Sequence, residues 1–215
     1  MTLKHVTDVS VADWFVDSDA DWWSKVILGP PGYESYVRVL YDLDPEGPDE
    51  IDETVRQAVR AVLAEHTASP DECYFGLWEG NGSIEAASLR TVDLEARRYG
   101  PNIPHPAAYG PEVLNGPKVA VSENAITYRA FYLFFGPLEQ MNQWGASNLT
   151  PDWPRDHMNG PNVMWPADHT WFMAADADPD WFGVGGSEAL IADLLADTRF
   201  EAIRTTYGPH QPEYR

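Results

Sequence analysis

Two stretches of this chain alternate aspartate with another residue and end in tryptophan. They are Asp17-Ser-Asp-Ala-Asp-Trp22 and Asp176-Ala-Asp-Pro-Asp-Trp181, and each follows a Trp-Phe pair (Trp14-Phe15, Trp171-Phe172). Carboxylates at alternate positions bring several hard oxygen donors into one turn, as at the start of a calcium loop. The calcium pattern then breaks: the sixth position is Trp instead of Gly, and the twelfth is Leu28 in one stretch and Ser187 in the other. No metal is assigned to them. The same residues can steer a cationic partner, because opposite fields speed encounter and select register. On this reading Asp17, Asp19, Asp21, Asp176, Asp178 and Asp180 face a partner. Trp153 and Trp181, set among polar neighbours, are the indoles expected to be exposed as anchors.

A second set of residues suits a different chemistry. Asp168, His169 and His157 offer polar groups near Trp165 and Trp171, and with Trp153 they could line a pocket for a small molecule. Familiar catalytic signatures are absent. There is no phosphate-binding G-x-x-x-x-G-K-[ST], no G-x-S-x-G elbow, no H-E-x-x-H and no paired C-x-x-C. Gly183-Val-Gly185-Gly186 precedes a helical pattern, but without a nearby cation it reads as a structural turn instead of an anion site. Cys73, in an apolar run, reads as a buried structural thiol. No cofactor is expected and no catalytic residue is assigned.

The elements that must position these groups read as a single α+β domain over residues 1–215. The chain has 44% hydrophobic and 22% charged residues, ample for a core. Strands are expected at 36–41, 73–78, 119–121, 126–135, 170–175 and 200–205, where β-branched and aromatic residues cluster. The better helices are 49–66, with Ile51, Val55, Val59, Val62 and Leu63 on one face, and 185–196, capped by Ser187. A weaker helix falls in 9–28 and a short one in 138–144. Residues 99–117, with five prolines and three glycines, form an irregular connection, and 145–166 read as loop. Together these predict a mixed, mainly antiparallel sheet with two main helices packed on it.

Charge narrows the partners. The formal net charge is −20, and it is uneven: −10 over residues 1–53, −3 over 54–150 and −7 over 151–215. Such a chain is repelled by the phosphate backbone, so nucleic acid is not expected. No run approaches ~18 apolar residues, so neither is a membrane span. Without a basic n-region followed by an apolar h-region, the start carries no visible signal peptide, and the cytoplasm is the expected compartment.

Four blocks carry a resemblance: Leu28-Gly-Pro-Pro-Gly-Tyr-Glu-Ser-Tyr-Val-Arg-Val-Leu40, Phe75-Gly-Leu-Trp78, Trp165-Pro-Ala-Asp-His-Thr-Trp171 and Gly185-Gly-Ser-Glu-Ala-Leu-Ile-Ala-Asp-Leu-Leu-Ala-Asp197. Through them the chain resembles a widespread group of uncharacterised actinobacterial cytosolic proteins, over most of its length. The likeness brings no activity and no catalytic residues. In size, acidity, tryptophan content and class the chain is also similar to the immunity proteins that neutralise polymorphic toxins. That implies a non-enzymatic module that binds a basic protein, with acids in 13–21, 42–53 and 176–180 providing steering.

Overall fold

The computed structural model describes residues 2–41, 53–81, 84, 87–88, 104–105, 107–147, 160–212 and 214. In chain order the elements are β1 (Lys4–His5), α1 (Asp13–Val16), α2 (Trp22–Leu28), β2 (Ser35–Leu40), α3 (Glu53–Glu65), β3 (Cys73–Trp78), β4 (Ala87–Ser88), β5 (Pro104–His105), α4 (Pro111–Leu114), β6 (Val119–Glu123), β7 (Ile126–Gly136), β8 (Val163–Pro166), β9 (Phe172–Ala174), β10 (Trp181–Gly186), α5 (Glu188–Ala196) and β11 (Glu201–Thr205). The main sheet is antiparallel at every described pairing, in the order β1-β7-β3-β8-β9-β10-β2-β11, with β6 on β7 as well; β4 and β5 pair separately. The class is therefore α+β.

Strand alternation divides the apolar side chains between two faces. One cluster holds Val37, Val39, Phe75, Leu77, Tyr132, Phe134, Trp171, Met173, Phe182 and Val184, closed by Val59 and Leu63 of α3 and by Leu190, Ile191 and Leu194 of α5. The other holds Tyr36, Leu40, Phe131, Leu133, Trp165, Phe172 and Trp181, closed by Phe15 of α1 and Val26, Ile27 and Leu28 of α2. Helices thus cover both faces, a larger assembly than two helices on one sheet. The segment 9–28 supplies the extra layer in pieces: a 3₁₀ turn at Val9–Ala12, then α1, then α2. Asp21 ends the break between the helices by accepting from the Ser24 N–H at 2.9 Å and the Ser24 hydroxyl at 2.6 Å, an N-cap.

Expected elements recur with small shifts. β3 spans the run expected, α5 is capped by Ser187 accepting from Leu190 N–H at 3.2 Å, and Cys73 is fully buried, its thiol pushed up to about 12 by burial. The start of the first long helix, with Asp49 and Ile51, lies outside the described residues. Two readings are corrected. Val163–Pro166 is a buried strand within the expected loop, and the glycine run is not a turn but the end of β10, buried throughout. The reason is close approach: a Cβ on Gly183 would lie 2.2 Å from the Ile27 carbonyl oxygen, so only glycine lets α2 lie down on β10.

Candidate functional site

The charged centre of the molecule is Arg129, on a strand otherwise rich in apolar groups. Between β6 and β7 the register shifts: Val121 faces Arg129, but Ser122 faces Thr127, so Tyr128 is an extra residue on β7. Such a bulge turns consecutive side chains to one side. Tyr128 and Arg129 consequently both meet Trp22, at the first turn of α2. The Trp22 and Tyr128 rings stack at 4.2 Å and 3°. The Arg129 guanidinium lies 5.8 Å from the Trp22 ring centre and 5.0 Å from that of Trp78. It donates to Asp176 as a fork, Nε to Oδ2 at 2.7 Å and Nη2 to Oδ1 at 2.8 Å, and reaches Asp178 at 3.4 Å. Hydrogen bonding to Asp176 holds the guanidinium above its ordinary pKa, and the charges of Asp176 and Asp178 add to this, against the opposing effect of burial.

Asn162 sets the stage for this cluster. Its side chain accepts from the Trp78 N–H at 2.9 Å and donates to the Ala175 carbonyl at 3.0 Å, fixing the residue before Asp176 relative to Trp78.

The two Asp-x-Asp-x-Asp-Trp motifs meet here, but their carboxylates do different work. Asp17 and Asp19 are exposed, and Asp21 is the helix cap. Asp176 is not a free partner-facing carboxylate: its side chain is 4% exposed and is consumed by Arg129. Asp178 keeps a side-chain exposure of 62% beside the same guanidinium. Asp180 is half-buried, and its carbonyl accepts from the Tyr41 N–H at 3.1 Å. Trp181 corrects the expectation of an exposed indole. It is 1% exposed, because its Nε1 donates to the Pro212 carbonyl at 2.8 Å while the Arg38 guanidinium covers its ring at 5.4 Å. Trp153 lies outside the described residues, as do the acids at 42–52.

The alternative pocket does not assemble from the residues described. Trp165 and Trp171 are both fully buried, but in the clusters on opposite faces of the sheet. His169 stacks on Trp14 at 4.0 Å and 17°, with φ +55 at the β8–β9 turn. Burial lowers its pKa against the raising charge of Asp168. The Asp168 carboxylate is occupied by the Thr67 hydroxyl and the Ala68 N–H, each at 2.8 Å, and by Thr170. Burial raises its pKa, but these bonds outweigh it and leave the carboxyl below its ordinary value. His157 lies outside the described residues. A cavity of about 10 Å³ does occur elsewhere, between α3 and β8–β10, lined by Arg56, Val59, Met164, Met173 and Phe182. It has room for roughly one water. Among the described residues, no three His, Cys, Asp or Glu groups converge as metal ligands, and no helix is long and apolar enough to cross a membrane.

Sequence reasoning missed Arg129, Tyr128 and Trp22 as a group. The available signal was a lone charge, Arg129, inside a long apolar strand, which demands a buried acid somewhere in the fold. No family model, curated protein or solved structure matches the chain.

Proposed function

We propose that this chain is a non-enzymatic acidic module that binds a basic protein, acting as an immunity-type inhibitor of that partner. The likeness to the actinobacterial group belongs to the same proposal. One observation carries the reading: several described cations are held by acids of the chain itself, while a run of exposed carboxylates has no cation opposite it among the described residues. Arg129 holds Asp176, Lys118 holds Glu79, Arg199 holds Asp197 and Arg204 holds Glu188. Lys25 is buried, its ammonium donating to the Val16 carbonyl at 2.7 Å. Asp8, Asp13, Asp17 and Asp19 are exposed along one short segment and have no cation opposite them among the described residues. A field of one sign on one segment attracts a basic surface and is screened by salt.

The test uses polylysine as the cationic probe, with binding measured by calorimetry across salt concentrations. The D13N/D17N/D19N variant should weaken binding severalfold and flatten its salt dependence. A matched variant at other exposed acids, E65Q/D71N/E72Q, should change both far less. Equal effects of the two would mean that the charge serves solubility alone, and the reading would fall.

A further inference from the structure

We propose, resting on the reading above, that the tip of the β6–β7 hairpin and the Trp22–Tyr128 stack at its base form the contact surface for a segment of the basic partner that carries both cationic and aliphatic side chains. The tip is a two-residue turn, Asn124-Ala125, with φ +52 and +64. Ser122 and residues 124–127 are exposed, and Ile126 is 56% exposed. Among the described residues the other exposed large hydrophobics are Ile203 and Tyr214. An isoleucine at a protruding tip is placed to enter a partner, where a single buried anchor with a polar rim can carry much of the binding.

The base supplies the rim. The bulge aims Tyr128 at Trp22, giving a flat, half-buried aromatic pair whose surroundings already hold a guanidinium, that of Arg129. Asp178, with most of its side chain in solvent, reaches the same Arg129 guanidinium at 3.4 Å. Asp19 lies three residues before Trp22, within about 11 Å along the chain. Aromatic faces beside carboxylates favour cations, and the tip favours an aliphatic residue next to them. An acidic segment is repelled. The occupant is thus a basic segment with alternating or adjacent aliphatic residues.

The experiment titrates the full chain, ¹⁵N-labelled, with two octapeptides at low salt: one alternating arginine with leucine, the other arginine with serine. The leucine peptide should bind the wild type about fivefold more tightly, the worth of covering a half-exposed isoleucine. Amide shifts should concentrate at residues 122–129. In I126S the preference for leucine should fall to near one, while I203S should keep it. Y128A should weaken both peptides. If the preference survives I126S, or the shifts fall elsewhere on the acidic surface, the hairpin is not the contact and the acidic-module reading stands. If neither peptide binds at low salt, that reading fails and the surface fails with it.

Discussion

Trp165 and Trp171, six residues apart and both fully buried, lie on opposite faces of the sheet. Met164 faces Met173 across β8 and β9, so the same register puts Trp165 beside Phe172, with rings 5.5 Å apart at 5°. Trp171 comes one residue earlier and points the other way. There its indole Nε1 donates to the Leu63 carbonyl at the end of α3, at 3.0 Å. The Trp165 Nε1, by contrast, is buried with no hydrogen-bond partner among the described residues.

This difference predicts unequal costs for one chemical change. W171F takes away one of two donors to the Leu63 carbonyl, which keeps the His66 N–H at 3.2 Å, whereas W165F removes a donor that has no partner among the described residues. W171F should therefore be the more destabilising by about 0.5–1.5 kcal/mol, the net worth of one hydrogen bond, although both lose the same volume. Urea denaturation of the two variants measures it, and equal midpoints would contradict it.

The Arg129–Asp176 fork should be among the costliest pairs to break. Its partners are 16% and 4% exposed in their side chains, so removing one charge strands the other. R129M or D176N should each cost about 3–5 kcal/mol, and R129M/D176L less than the sum of its parts. R129K should fail to restore stability, since lysine cannot present a fork. A double-mutant cycle in urea gives the coupling, and additive losses would exclude it.

Stability should fall on mild acidification. Burial lowers the pKa of both His5 and His169, against the raising charges of Glu112 and Asp168 respectively. The unfolded chain then takes up protons near pH ~6.5, while the folded chain resists until lower pH. The contribution is complete above about pH 6.5 and is lost as pH drops through the folded values. Melting temperature should decline from pH 7.5 to 5.5, and H169N should flatten the decline. Asparagine suits this substitution because it tolerates the positive φ at that position. An unchanged slope in H169N would remove His169 as a source.

Two glycines of β10 should respond differently to alanine. At Gly183 the added Cβ meets a backbone atom, the Ile27 carbonyl oxygen, which cannot move without lifting α2. At Gly185 it meets the rings of Tyr36 and Tyr33, at 2.6 and 2.7 Å, and rings can shift. G183A should cost about 3 kcal/mol, with a changed near-ultraviolet signal from the neighbouring tryptophans; G185A should cost less. Thermal melts decide the order.

The sequence by itself determined whatever depends on neighbours along the chain. A continuous apolar run marked β3, alternation marked β7, and apolar spacing with a serine cap marked α5, because those patterns are properties of a few consecutive residues. Charge composition likewise set the chain's own net charge of −20. Tertiary structure alone decided which aspartate of two look-alike motifs is spent and which is free. Asp176 is buried because Arg129, 47 residues away, arrives beside it, while Asp17 meets no such cation among the described residues. The buried Trp181 and the strand character of the Gly183 run have the same origin. A tail residue, Pro212, and a helix, α2, close over them from distant parts of the chain. Burial and ion pairing are settled by distances through space, and a linear pattern holds no record of those.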